Sequence, residues 1–334
     1  MKKNILIFRT DRIGDLLVTC PVIITIKNKL NDCKITLVTS EKNYIYATSF
    51  NFFDDIIIYP SKNIFSKVKF ILNLSKQKFD YVLILDGKDR SIIASLFIKS
   101  DKKVSLVSKN KLNFILKSLK IDFIEDDNST SIIKLYQEVL NCCKINTNIG
   151  NYDFLKNKDN NNFSSQINVK NFVHIHLDEK WISKLYIEKY QDINPSFNNF
   201  VEFINEISRK NNVLITTGLV DFSLIDELKN KFFDKLNEKI YLKKNSNNII
   251  YLIYKPSLAD LESLIRESKI FISCHASMIH VANSFDIKII DIIEQNKSEW
   301  YKRFTSYLNN YEKVYRNKFD ILKFELLNKI RSFS

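Results

Sequence analysis

Gly14, Gly87, Gly150 and Gly218 are the only glycines in 334 residues. No two stand close enough to build a G-x-G-x-x-G dinucleotide loop or a G-x-x-x-x-G-K-[ST] phosphate loop, so both are excluded. Collagen-like and glycine-rich classes are excluded with them. Cysteine is sparse and odd in number: Cys20, Cys33, Cys142, Cys143 and Cys274. No C-x-x-C pair occurs, which speaks against a zinc site, and the five read as reduced, mostly buried thiols of a cytoplasmic protein. No stretch approaches the ~18 uncharged apolar residues of a membrane-spanning helix. Met1-Lys2-Lys3 opens like a signal peptide, but the apolar run behind it stops at Arg9, short of the ~7–15 residues such a segment needs.

What the chain does have is apolar mass and positive charge. Hydrophobic residues make up 45%, rich in Ile, Leu and Phe, which excludes a disordered chain. Lys and Arg number 51 against 38 Asp and Glu, a formal +13. The excess gathers at Lys99, Lys102, Lys103, Lys109, Lys111, Lys117 and Lys120, and again from Lys302 and Arg303 through Arg331. Such patches attract anionic partners; equally, they are the solvated lysines of a Lys-, Asn- and Ile-rich composition. No zinc finger, helix-turn-helix or RNP-type pattern accompanies them, so nucleic acid is not an expected partner.

Short apolar runs of strand length alternate with helical spacing. Asn4–Arg9, Lys34–Thr39, Asp55–Tyr59, Tyr81–Asp86 and Lys103–Val107 read as strands. Asp15–Lys29, Ile64–Lys76, Ser91–Ser100 and Thr130–Cys142 read as helices. The polar, Asn-rich stretch 150–168 reads as a linker. The alternation then restarts with strands Asn171–His176, Asn212–Thr217, Lys269–Ser273 and Lys288–Ile292. Helices Asn198–Lys210, Asp221–Asn237, Ser257–Glu267 and Ala276–Phe285 fall among them. This is an α/β pattern of parallel sheets with helices on both faces, in two halves. Ligands of such folds bind at the carboxyl ends of strands.

The loop after the first strand carries the most information: Arg9-Thr10-Asp11-Arg12-Ile13-Gly14-Asp15-Leu16-Leu17, with Pro21 following. Gly14 allows a tight turn or the close approach of a ligand. Asp15 stands at the start of a helix. It is either a helix-capping residue favoured by the dipole or a carboxylate base that the helix N-terminus keeps ionised. Arg9 and Arg12 are ordinary surface charge or ligands for acidic groups.

These residues resemble the opening signature of glycosyltransferase family 9, the lipopolysaccharide heptosyltransferase family: a strand, R/K-x-x-x-x-G-D, a hydrophobic helix and a proline. Ser273-Cys274-His275-Ala276-Ser277-Met278-Ile279-His280-Val281-Ala282-Asn283 resembles the family's D-[ST]-G-x-x-H-[LI]-A motif, after a short strand and opening a helix. Lys180-Trp181 resembles its K-x-W, and Gly218 with Asp221 its G-x-x-E region. The resemblance spans residues 4 to 292.

The resemblance implies the GT-B fold, two Rossmann-like domains with parallel sheets facing a central cleft. It implies an acceptor domain over 1–160, a nucleotide-sugar domain over 161–317, and a helix over 318–334 packing back on the first domain. It implies an inverting, metal-independent transferase, a reading the absence of any D-x-D suits. Asp15 would be the general base. Arg9, Arg12 and Gly14 would serve the acceptor. Lys180, Asp221, His275, Ala276, Ser277 and His280 would serve the donor. The nucleotide-sugar, ADP-linked by resemblance, is a substrate, and no cofactor is expected. The acceptor would be an anionic glycan or glycolipid such as lipopolysaccharide core, reached on the cytoplasmic face of the inner membrane.

The chain departs from the pattern at the second motif. His275 stands where the family has an acid, and Ala276-Ser277 where it has Thr/Ser-Gly. Lys180 and Trp181 are adjacent, and Asp221 replaces a Glu. A non-catalytic relative that binds a glycan or nucleotide in envelope assembly is therefore the alternative.

Other residues have plainer readings. His174 and His176 alternate on one strand and share a face, as core or cleft-lining histidines. Ser277 lacks the glycines of a nucleophile elbow. Asp86-Gly87-Lys88-Asp89-Arg90 is either an acceptor contact or a simple turn.

Overall fold

The structure is a computed structural model that describes residues 2–61, 63–108, 118–150, 152–156, 158, 162–167, 169–245 and 248–333. The chain divides into two units, Met1–Lys158 with Lys302–Tyr307, and Asp159–Tyr301 with Leu308–Ser334. The division falls inside the expected linker. Residues 159–161 of that linker, and Lys109, Lys111 and Lys117 of the first basic stretch, lie outside the described residues.

In the first unit the strands are Lys3–Arg9 (β1), Cys33–Thr39 (β2), Asp55–Ile58 (β3), Lys78–Ile84 (β4), Lys99–Ser108 (β5) and Asp122–Asp126 (β6). Its helices are Ile13–Lys29 (α1), Glu41–Ala47 (α2), Ile64–Ser75 (α3), Asp89–Leu96 (α4) and Ile132–Cys142 (α5). The sheet order is β3-β2-β1-β4-β5-β6, every pairing parallel. A central parallel strand is covered on both faces, so it reads as an unbroken apolar run. Ile5, Leu6, Ile7 and Phe8 of β1 are all fully buried. The winding goes from β1 outward through β2 and β3, then returns to β4 on the other side. The loops after β1 and β4 therefore part company, and that switch point is where a ligand crevice opens.

In the second unit the strands are Phe172–Leu177 (β7), Val213–Thr217 (β8), Asp234–Lys235 (β9), Ile240–Asn245 (β10), Asn248–Ile253 (β11), Ser268–Cys274 (β12), Lys288–Ile293 (β13) and Tyr311–Tyr315 (β14). Its helices are Phe197–Ser208 (α6), Ser223–Glu227 (α7), Leu258–Arg266 (α8), Met278–Ser284 (α9), Ser298–Thr305 (α10), which runs on into the first unit, and Phe319–Ser332 (α11). The order is β14-β13-β12-β7-β8-β11-β10-β9. The switch point lies between β7 and β12.

The second sheet is not wholly parallel. β10 runs antiparallel to both β11 and β9. The helix expected over Asp221–Asn237 ends by Phe232, because Phe233 turns into the core and the chain opens into this meander. The terminal helix α11 was expected on the first domain. Its buried Phe319, Leu322, Leu326, Leu327 and Ile330 belong instead to the core of the second unit, beside Trp181, Phe200 and Phe203. The late segment that joins the first unit is Lys302–Tyr307. Arg303 fastens it there, donating through Nη2 to both Asp126 carboxylate oxygens at 2.6 and 2.7 Å and through Nε to the Thr130 carbonyl at 3.0 Å.

Much of the late basic stretch is also consumed internally. Lys323 pairs with Glu202, Lys329 with Glu312 and Arg331 with Glu206. No helix among the described residues is long and apolar enough to cross a membrane.

Candidate active site

In the first unit the loop from Arg9 to Asp15 sits at the switch point, held from below. Arg9 is only 3% exposed. Its Nε donates to Thr19 Oγ1 at 2.8 Å, and its Nη1 donates to Asp11 at 2.8 Å and to the Leu85 carbonyl at 2.9 Å. The guanidinium also lies over the Tyr136 ring. The side chain expected to meet an acceptor is thus an internal brace for Asp11. Arg12 is exposed. Gly14 lies in the first turn of α1 and needs no left-handed backbone.

Asp86, in the turn after β4, and Arg90, in the first turn of α4, clamp the same loop. The Asp86 carboxylate accepts from the Thr10 amide, the Thr10 hydroxyl and the Ser91 hydroxyl, and Arg90 donates to the Thr10 carbonyl at 3.0 Å. The stretch weighed as acceptor contact or turn therefore positions Thr10. Gly87 makes the turn with φ +55, and a Cβ there would stand 2.7 Å from the Leu106 carbonyl oxygen.

Asp15 is half-buried, and its carboxylate accepts the Arg12 amide at 3.3 Å. Burial pushes its pKa up, the Arg9 charge pulls it down, and the Asp11 carboxylate pushes it up again, with a net rise. The helix N-terminus was expected to keep it readily ionised; desolvation outweighs that influence here. One oxygen of Asp11, Oδ1, is buried without a hydrogen-bond partner among the described residues.

In the second unit the loops after β7 and β12 flank the switch point. Asp178, buried just past β7, accepts the Lys180 amide at 3.1 Å and the Lys180 ammonium at 2.7 Å. Burial pulls the Lys180 pKa down, but Asp178 more than restores it, so the lysine stays charged. The Trp181 indole donates to the His176 carbonyl and packs in the core, which fixes the short turn carrying Lys180. Gly218 presses on this turn: a Cβ there would stand 2.8 Å from the Asp178 Cβ and 2.9 Å from a Glu179 oxygen.

His275 follows β12 directly, and its Nδ1 stands 2.7 Å from Asp291 Oδ2. Ser277 precedes α9, a helix of seven residues, and caps it with no side-chain hydrogen bond. His280 is buried one turn in. Burial, aided by His275, pushes its pKa down to about 3, so it is a neutral imidazole. Asp221 lies apart from these loops as a partly exposed carboxylate that accepts from Tyr254 and from Lys255 at 2.6 Å. His174 and His176 share the Thr216 hydroxyl, at 2.8 and 2.9 Å, and His174 also meets Ser268. They are satisfied core histidines.

Sequence reasoning missed Asp178, Asp291 and Arg316. Arg316 is buried after β14, with Nε donating to the Gln191 carbonyl and Nη2 without a hydrogen-bond partner among the described residues. The available signal was charge in apolar surroundings: Asp291 interrupts Ile289–Ile293, and such a residue is seldom buried unless paired.

No family model and no curated protein matches the chain. Solved structures do. A glycosyl transferase family 9 structure from Veillonella parvula aligns with a TM-score of 0.70 at 13% identity, over 98% of this chain and 89% of that one. The heptosyltransferase WaaC from E. coli, solved with ADP, aligns at 0.67 and 13% identity, over 99% of this chain and 100% of the other. A UDP-GlcNAc 2-epimerase from Methanocaldococcus jannaschii aligns at 0.58 and 14% identity, over 99% and 92%. With its two Rossmann-like sheets and switch-point loops, the chain has the GT-B fold of these transferases and of the epimerase.

Proposed function

We propose that the chain is a divergent glycosyltransferase family 9 member that transfers a sugar, heptose or a relative, from a nucleotide-sugar to a cell-envelope glycan such as lipopolysaccharide core. The observation that carries this reading is placement. Each of the two motif segments stands at the switch point of its own sheet, with a half-buried carboxylate in the first unit and a half-buried, charged lysine in the second.

Asp15 would take the proton of an acceptor hydroxyl. The oxygen then attacks the anomeric carbon as the nucleoside diphosphate leaves from the opposite face, inverting the centre. A carboxylate with a raised pKa is better matched to neutral pH as a base than an ordinary one. The second unit would meet the charge developing on the leaving diphosphate, through Lys180 and the segment His275–Ser277. No step requires a metal. ADP is the expected nucleotide, since WaaC was solved with it.

Peripheral contact with the inner membrane's cytoplasmic face belongs to the same reading. Helix α3 exposes Ile64, Phe65, Val68 and Leu72 beside Lys69. Anionic vesicles should retain the protein, and Phe65→Ser with Lys69→Glu should release it.

The second reading, a non-catalytic binder, is favoured by His275-Ala276-Ser277 standing where the family motif has an acid and a glycine. Incubation with nucleotide-sugars and glycan acceptors, reading released nucleoside diphosphate, tests the transferase. Turnover that Asp15→Asn abolishes, with donor affinity retained, supports transfer. Nucleotide binding without turnover in the unaltered protein establishes the binder.

A further inference from the structure

Asp291 is a carboxylate placed where carboxylates are expensive. It is 0% exposed in the middle of β13, flanked by Ile290 and Ile292. Removing an ionised carboxylate from water is very unfavourable unless a cation or several donors meet it. Two groups meet this one. His275 Nδ1 stands 2.7 Å from Oδ2, and the Tyr311 hydroxyl donates to the same oxygen at 3.0 Å. Oδ1 has no partner. Lys313, the register neighbour of Asp291 on β14, sends its ammonium to Ser298 instead. Among the described residues, His275 is the one cation-forming side chain bonded to Asp291.

The ring of His275 is fixed as well as paired. It packs on Tyr301 with centroids 4.4 Å apart, and only 17% of its side chain is exposed. Nδ1 is turned inward to the carboxylate. Nε2 has no hydrogen-bond partner among the described residues, and it is the nitrogen left for a ligand. The ring lies at the end of β12, beside β7, so it borders the same switch point as Lys180. The fully buried Cys274 thiol, one residue before it, feels the charges of Arg316, Asp178, Lys180 and Asp291 together.

We propose that Asp291 is a positioning residue that holds His275 as an imidazolium with Nε2–H directed at the leaving diphosphate of the nucleotide-sugar donor. The pair then supplies, by a cation, what a motif with an acid at that position cannot. No proton need move. The bond from anomeric carbon to phosphate oxygen breaks, its electron pair stays on that oxygen, and the imidazolium and the Lys180 ammonium meet the new charge. This inference rests on the transferase reading, because it assigns the ligand as a nucleoside diphosphate. The groups facing the pair are Tyr301 on α10, Tyr311 on β14, Cys274 on β12 and His280 on α9. Tyr301 and Cys274 are pushed up and His280 down, so none of the three carries a charge that competes at neutral pH.

The test uses the full chain and its four histidines, followed by NMR of the imidazole carbon protons over pH. His275→Asn assigns the His275 signal. Asp291→Asn should lower the midpoint of that titration by about one pH unit or more. Unshifted signals of His174 and His176 report that the variant is folded. Affinities for ADP, UDP, GDP and CDP are measured beside those for the monophosphates. Both Asp291→Asn and His275→Asn should weaken the diphosphate that the unaltered chain binds by about tenfold, and the matching monophosphate much less. An unchanged His275 midpoint in Asp291→Asn, or an unchanged diphosphate affinity in the folded variants, overturns the proposal. If the unaltered chain binds no nucleoside diphosphate, the transferase reading fails first and this assignment falls with it.

Discussion

The two switch-point loops solve opposite electrostatic problems with similar parts. In the first unit, Asp15 is half-buried, no basic side chain among the described residues hydrogen-bonds to it, and burial raises its pKa. In the second unit, Asp178 and Asp291 are buried more deeply, and each lies beneath a nitrogen base, Lys180 or His275. The first arrangement presents a carboxylate able to accept a proton. The second hides its carboxylates and presents what they hold. A carboxylate left without a cation becomes more basic, whereas one given a cation fixes that cation in place. Position in the fold is common to both, so the chemistry follows from pairing and burial.

The sharpest break of this contrast is at Asp15. Asp15→Asn should cost about a thousandfold in turnover, within the ~10²–10⁴ of a positioned base. In the unaltered protein the acid limb of the rate profile should lie above the ordinary carboxylate value, because a base at Asp15, as proposed, acts in its ionised form and burial raises its pKa. An acid limb at about 4 or lower would show that desolvation does not govern Asp15.

The next effect is on stability in the second unit. Lys180→Ala leaves Asp178 buried without its ammonium, which should cost about 3 kcal/mol, read by urea denaturation. Asp178→Asn in that background should recover part of the loss. Gly218→Ala should cost about 1–3 kcal/mol, because the added Cβ meets the Asp178 turn at 2.8 Å.

A further effect is graded with pH and is smallest near neutrality. His174, His176 and His280 all have depressed pKa values, chiefly from burial. The unfolded chain then binds more protons than the folded one below the usual histidine value. Stability from this source is whole above pH ~6.5 and declines as pH falls, at up to ~1.4 kcal/mol per pH unit for each neutral histidine. For His280 the decline runs down to about 3. His280→Gln should flatten the profile of melting temperature against pH between those limits.

Strands buried on both faces were legible because they are nearly pure apolar runs. β1, β2, β7, β12 and β13 fall within a residue or two of expectation. The meander β9 to β11 was not, since Lys243, Lys244, Asn245 and Asn248 dilute its pattern. Helix α11 was legible as a helix, yet its apolar spacing states a face and not the surface that face covers. At the candidate site, the motif residues could be named from sequence, but their partners could not. Asp178 and Asp291 become meaningful only when strand register and burial bring Lys180 and His275 to them. The rise in the Asp15 pKa was not legible for the same reason: the helix terminus is visible in sequence and the desolvation is not.

The central claim is that this fold binds a nucleotide-sugar, and melting curves with ADP-, UDP-, GDP- and CMP-sugars test it most directly. The account predicts that one nucleotide class raises the midpoint by a few degrees at about 100 times its dissociation constant, corresponding to ~2.7 kcal/mol. No shift with any of them, at concentrations that saturate ordinary transferases, would contradict it.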